Sequence, residues 1–512
     1  MNPSSSEPVQ PHEAVAHLHE VIVLGGGFAG VAAAIKLREA GINDFLLLEK
    51  AGELGGVWRE NTYPGCACDV PSALYSYSFA PNPGWSRVFA GQAEIKRYLQ
   101  DTAERHGVMA HVRLHHEALA ARWSDADACW HIDTPHGGFR ARFVIMACGP
   151  MHEPVLPDVP GLDSFAGEVF HSSRWRHDID LAGKRVAVIG TGASAIQFVP
   201  EIQPRVAWLT VFQRTPHWVL PKMDQHLPAL VRRLFERLPL TQLAMRGTVY
   251  GIFETLNGGM RNVAAMKQFQ RLARLNIRLG IGDAALRRKV TPDYVIGCKR
   301  VLQSSDWYPA LAQPNVDVIA SGLREVRGNT LVASDGSTCE ADVIILGTGF
   351  EIAEPPIAKR VFNRDGRSMA EVWNGSPEGY LGTMVAGCPN GFLMFGPNIA
   401  VSSSAVIIIE AQLGYIVDAL KQARAQGIAT IEPDPARIAD FNARVQAALQ
   451  ETVWNRGGCR SYFIDRNGRN STVWPWSTLE MRRQLGRFRL GEYLVDAVPG
   501  RRTAATTTGD RT

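Results

Sequence analysis

Two short stretches of the sequence carry residue types that could hold a charged ligand. VIVLGGGFAGVAA (21–33) places Gly25, Gly27 and Gly30 at the spacing GxGxxG. VAVIGTGASAIQF (186–198) places Gly190, Gly192 and Ala195 at the same spacing, with a small residue third. Each turn follows an apolar run and opens into a helix-like stretch. The first glycine permits the sharp bend, the second lets backbone approach a pyrophosphate, and the third lets helix pack on strand. The helix N-terminus then offers free N–H groups and the positive end of a dipole to the phosphates. Ala193, Ser194 and Gln197 stand beside the second turn as further candidate contacts.

The charge that follows each turn separates the two. The strand Phe45–Leu48 ends at Glu49, and the strand Trp208–Phe212 leads to Arg214 and Thr215. Glu49 lies 24 positions after Gly25, and Arg214 lies 24 after Gly190, so the same place is expected to hold an acid in one unit and a base in the other. A carboxylate there accepts hydrogen bonds from ribose hydroxyls and repels a 2′-phosphate, whereas a guanidinium forks onto that phosphate. The first site is therefore expected to take FAD and the second NADPH. Two dinucleotides in one chain let hydride pass from nicotinamide to flavin.

The elements that must position these residues read as strands at Val21–Leu24, Phe45–Leu48, Lys184–Ile189 and Trp208–Phe212. Phe143–Ala147 and Val343–Leu346 also read as strands ending in glycine. Each is expected to return the chain to the FAD domain's sheet, with crossings near Gly149 and Gly347. The expected fold class is α/β, with two Rossmann-like dinucleotide-binding domains, the NADP domain inserted in the FAD domain, and a helical insertion. The boundaries follow: a flexible arm 1–18, the FAD domain 19–150 and 346–497, the NADP domain 151–345, and a flexible tail 498–512. Over about 221–291 no such strand occurs. Leu227, Leu230, Val231, Leu234, Phe235 and Leu238 recur there at helical spacing. Arg232, Arg233 and Arg237 accompany them, so a membrane-surface helix is a conceivable alternative. Such a stripe is more often core or subunit contact, so a helical cap over a substrate pocket is the expectation.

Composition bounds the rest. The 512 residues are 46% apolar and 20% charged, a soluble globular balance. A net charge of +4 argues against a nucleic-acid binder. No apolar run is long enough to span a membrane, and the N-terminal residues lack the pattern of a secretory leader. The expected location is the cytoplasm. Eight cysteines are scattered without CxxC spacing, so reduced thiols are expected, with no metal site and no disulfide framework. Cys66-Ala-Cys68 is the closest pair. It is a poor candidate for a flavin disulfide reductase, which normally needs a CxxC-like dithiol.

Residues 165–175, FAGEVFHSSRW, match FxGxxxHxxxW through Phe165, Gly167, His171 and Trp175. On these residues the chain resembles the Baeyer–Villiger monooxygenases, flavoproteins that bind FAD and NADPH. The resemblance extends through GGVWRENTYPGCACDVPSALYSYSF (55–79), VFQRTPHW (211–218), GCKRVLQSSDWYPAL (297–311) and MFGPN followed by SSAVIIIEAQ. It departs from the family pattern at Arg176, where Pro or Asp is usual, and at Ala400-Val401 ahead of Ser402-Ser403-Ser404, where many relatives have Gly-His.

The resemblance implies roles. Gly56, Val57 and Trp58 would line the flavin, with Asp69 and Tyr75 nearby. Arg214, Thr215 and Lys299 would hold the 2′-phosphate. Arg300 would be the active-site arginine, with Asp69 as its partner, and His171 would be structural. The implied reaction inserts one atom of O2 beside a ketone carbonyl to give an ester or lactone, through a C4a-peroxyflavin. Oxygenation of sulfides or amines is the alternative. Tyr462, Trp474 and Trp476 stand as pocket walls or core.

Overall fold

The computed structural model describes residues 17–497 except 353 and 402. The expected flexible arm and tail lie outside the described residues, apart from His17 and Leu18. Leu18 already belongs to the first strand, β1 (Leu18–Leu24).

β1 is apolar over Val21–Leu24 because both of its faces are covered there. Val21 and Val23 point into one apolar cluster, and Ile22 and Leu24 into another. The chain turns at the first glycine loop into helix α1 (Phe28–Glu39) and returns in β2 (Phe45–Leu48), parallel to β1. On the other side β1 pairs in parallel with β3 (Gly137–Met146). These strands form the middle of an eight-stranded sheet.

The second sheet has five strands, all parallel. Its strands are β4 (Glu168–His171), β5 (Arg185–Ile189), β6 (Trp208–Phe212), β7 (Val316–Ile319) and β8 (Val343–Leu346), in the order β7-β6-β5-β8-β4. Helix α2 (Ala195–Ile202) leaves the second glycine loop between β5 and β6. Val343–Leu346 does not return the chain to the first sheet, as expected from its sequence, but lies between β5 and β4 in the second. Its glycine marks a close approach, since a Cβ on Gly190 would sit 2.4 Å from the Gly347 carbonyl oxygen. The chain rejoins the first sheet later, through Val361–Phe362 and through β9 (Gly391–Leu393), which pairs with β3. An apolar run ending in glycine announces a buried parallel strand but not which sheet it joins.

The stretch from 229 to 290 is helical: α3 (Ala229–Arg237), α4 (Pro239–Gly259), α5 (Val263–Gly280) and α6 (Ala284–Val290). The stripe expected to pack inward is only partly buried. Phe235 is buried, but Leu230, Leu234 and Leu238 are 79%, 43% and 56% exposed.

The FxGxxxHxxxW residues pack where the chain passes between the sheets. Phe165 is buried, and Trp175 packs edge-on against Phe170 at 5.3 Å. His171 Nδ1 accepts the Ser173 backbone N–H at 3.1 Å. Burial first, then the Arg174 charge, push its imidazole down to about 4. Arg176 is exposed and forks onto Asp178. The two crossings run side by side, with Val155 N–H donating to the Gly349 carbonyl at 2.9 Å.

Candidate active site

Both glycine loops open on one cavity of about 1330 Å³ between the sheets. Every site residue expected from the sequence lines it except Gly30 and Ala195, which pack beneath the loops. A Cβ on Gly30 would lie 1.8 Å from the Gly25 carbonyl oxygen, so that position must be glycine for α1 to seat against the turn. No side chain caps the N-terminus of α1 or of α2, which leaves their first N–H groups for a ligand. A Cβ on Gly192 would meet no atom within 4 Å, so backbone alone faces the cavity there.

At the first loop Glu49 is 4% exposed. It accepts the Gly26 N–H at 2.6 Å and the Arg59 guanidinium at 2.8 Å. Arg59 also reaches Glu60 at 2.7 Å, and nothing in the spacing of the sequence announced it. The segment 55–60 lies on the loop, with Gly55 N–H donating to the Gly26 carbonyl at 3.0 Å. Trp58 Nε1 donates to the Tyr75 hydroxyl at 3.0 Å, and burial pushes that phenol well up from its ordinary value.

At the second loop the equal counts of 24 conceal a shift. Leu24 pairs with Leu48, and Ile189 with Phe212, so the second unit is one residue shorter between turn and strand. The counterpart of Glu49 is therefore Gln213, which is buried and donates to the Lys289 carbonyl at 3.0 Å. Arg214 stands one position further on and is exposed. Burial first, then repulsion from Arg214, lower the Lys299 amine. The Gln197 amide is committed to the protein, accepting the Tyr63 hydroxyl at 3.0 Å and donating to the Ala67 carbonyl at 3.0 Å.

Arg300 meets Asp69 across 231 positions of sequence. Its Nε and Nη2 both donate to Asp69 Oδ2, at 3.0 and 2.6 Å. The carboxylate holds the guanidinium well above its ordinary value, so the cation is permanent. Tyr462 joins this wall, whereas Trp474 is fully buried core and Trp476 is partly buried against the same core. Ala400 and Val401 also line the cavity; Ser402 lies outside the described residues.

The cysteines correct one expectation. Cys298 and Cys459 form a disulfide across 161 positions, with Cα atoms 6.1 Å apart. The bond ties the segment carrying Lys299 and Arg300 to the one carrying Tyr462. Neither sulfur lines the cavity. Cys66 and Cys68 do line it but are free thiols. Burial pushes Cys66 up to about 11 and Cys68 higher still, so neither is a ready thiolate for a disulfide-reductase reaction.

Two dinucleotide loops facing one cavity, with a fixed cation on its wall, define a flavoprotein oxidoreductase that uses a pyridine nucleotide. The family model for pyridine nucleotide-disulphide oxidoreductases matches residues 22–249. A Baeyer–Villiger monooxygenase of Streptomyces coelicolor is 50% identical over 487 residues, 94% of each chain. One of Pseudomonas aeruginosa is 44% identical over 502 residues, 97% of this chain and 95% of that one. Among solved structures, closed cyclohexanone monooxygenase superposes with a TM-score of 0.84 at 27% identity, covering 94% of this chain and 100% of that one. OTEMO in complex with FAD and NADP gives 0.84 at 25%, with the same coverage. The chain belongs to the Baeyer–Villiger monooxygenases, FAD- and NADPH-dependent enzymes. No helix among the described residues is long and apolar enough to cross a membrane.

Proposed function

We propose that Arg300, oriented by Asp69, is the catalytic residue for oxygen insertion beside a ketone carbonyl. Overall, ketone, O2, NADPH and a proton become ester or lactone, NADP⁺ and water. Bound FAD supplies the passage of electrons from NADPH to O2. The chain's own residues supply position and charge. Arg300 offers a cation that no working pH removes, beside the site where negative charge develops on oxygen. Asp69 fixes its direction. The observation that carries the reading is this pair, standing on the wall that both glycine loops share.

The remaining assignments belong to the same proposal. Gly25, Gly27, Glu49, Gly56, Val57, Trp58, Asp69 and Tyr75 cradle FAD, with Gly30 packing the loop. Gly190, Gly192, Ala193 and Ser194 cradle NADPH over Ala195, while Arg214, Thr215 and Lys299 take the 2′-phosphate. Gln197 acts as a tie rather than a ligand. Residues 19–150 with 347–497 form the FAD domain, and 151–346, through the end of β8, the NADP domain. The substrate is a small-molecule ketone, and the supply of NADPH is the reason to assign the enzyme to the cytoplasm.

Replacing Arg300 by Ala tests the assignment. Ester formation should fall by roughly 10²–10³, the usual effect of one oxyanion donor. NADPH should still be oxidised, with hydrogen peroxide released in place of ester. Ester formation near the wild-type rate would overturn it.

A further inference from the structure

The helical insertion has two apolar faces where a cap needs one. Its inner side gives Phe253, Leu256, Met260 and Phe269 to the cavity wall. Away from the cavity, α3 and α5 each carry an exposed leucine stripe. Leu230, Leu234 and Leu238 follow the turns of α3 and its end, exposed as given above. Leu272, Leu275 and Leu279 follow the turns of α5, 54%, 50% and 79% exposed. Their spacing puts each set on one side of its helix. A single exposed leucine is ordinary, but two stripes at helical spacing mark a contact surface.

Arginines run beside both stripes. Arg233 and Arg237 are exposed on α3, and Arg271, Arg274 and Arg278 are exposed on α5, each of these three just before a stripe leucine. None has a carboxylate within 4.0 Å among the described residues. Residues 229–290 hold twelve Lys and Arg against three Asp and Glu, a net +9, so the other 450 residues carry a net −5.

We propose that this outer face docks on an anionic lipid surface. The leucines enter the acyl boundary and the arginines meet headgroup phosphates, while the helices lie along the surface without crossing it. Charge selects this occupant over a second copy of the chain. A twofold contact would set the exposed arginines of one copy against those of the other, which repels, whereas anionic lipid complements them. Docking would bring the cavity's helical wall within about 10 Å of the bilayer, one helix diameter. A lipophilic ketone could then enter from the membrane. That last step rests on the function proposed above, while the docking does not.

Flotation of the FAD-loaded full chain with phosphatidylcholine vesicles, with and without phosphatidylglycerol, tests the docking. Binding should be at least about tenfold stronger with phosphatidylglycerol and should weaken as salt is raised, given roughly fivefold per cation near such a surface. Joint replacement of Leu272, Leu275 and Leu279 by Ser should lower binding to both vesicle types. Joint replacement of Arg271, Arg274 and Arg278 by Glu should remove the phosphatidylglycerol preference. In both variants, turnover of a water-soluble ketone should stay at the wild-type level. Failure of the wild-type chain to float with phosphatidylglycerol overturns the proposal. So does a dimer in light scattering that the Leu-to-Ser variant dissolves, which would assign the face to a second copy. Flotation of a wild-type chain that turns over no ketone would instead count against the function proposed for the cavity.

Discussion

The two glycine-loop units agree down to single hydrogen bonds. Gly25 N–H donates to the Leu48 carbonyl at 2.8 Å, and Gly190 N–H to the Phe212 carbonyl at 3.0 Å. In both, the next residue is buried and spent on the protein: Glu49 on Gly26 and Arg59, Gln213 on Lys289. The units diverge at the position that follows. Lys50 stands 3.8 Å from Glu60 and 3.4 Å from Glu153, whereas Arg214 has no carboxylate within 4.0 Å among the described residues and faces Lys299. The first unit neutralises its own charges. The second leaves positive charge uncompensated, which is what a phosphate group requires. The proposed discrimination between coenzymes therefore rests on the neighbours of that later residue, not on an acid and a base exchanged at one place.

The largest expected effect tests the closed unit. Glu49→Ala leaves the Gly26 N–H unpaired and removes one of two carboxylates from Arg59, whose side chain is 13% exposed. The loss of stability should be about 3 kcal/mol, the low end for breaking a buried pair, because Glu60 still holds Arg59. Thermal unfolding and flavin retention should both fall. An unchanged unfolding temperature would mean that Glu49 serves the ligand alone.

The open unit should behave in the opposite way. Arg214→Ala removes a charge-assisted contact worth about 1.5–3 kcal/mol, so the NADPH Michaelis constant should rise roughly 10–150-fold. The NADH constant and the unfolding temperature should stay put. Equal rises for the two coenzymes would remove Arg214 from the 2′-phosphate site. A fall in unfolding temperature matching that of Glu49→Ala would erase the contrast between the units.

Both turns were legible in the sequence because their signal is local: three small residues at fixed spacing between an apolar run and a helix. So were Phe45–Leu48 and Trp208–Phe212, whose observed limits equal the expected ones. Features set by distant partners were not. Val343–Leu346 could not reveal its sheet, because pairing beside Arg185–Ile189 depends on residues about 150 positions away. The one-residue offset between Glu49 and Arg214 was hidden by equal counts from the first glycine. The Cys298–Cys459 bond joins segments that no spacing relates. The outward leucines of α3 obey the same periodicity as a buried stripe, and periodicity names a face without saying what covers it.

The smallest effect belongs to the second unit alone, and it is read by pH. His171 ends the edge strand β4 of the second sheet and is 4% exposed. Its imidazole titrates at about 4 in the folded chain against an ordinary 6.5. Below pH 6.5 the unfolded chain therefore binds a proton that the folded chain refuses. The stability this group contributes is complete above 6.5, falls as the pH drops towards 4, and changes no further below that. At about pH 5.5 the loss should be about 1 kcal/mol. His171→Gln keeps a side chain that can accept from Ser173 but cannot titrate, so it should flatten this region of the pH profile without changing the neutral-pH turnover of ketone. Unfolding followed from neutral pH to about 5.5 in both proteins checks it, and parallel profiles would show that His171 binds its proton equally in both states and holds no proton-linked stability for the second unit.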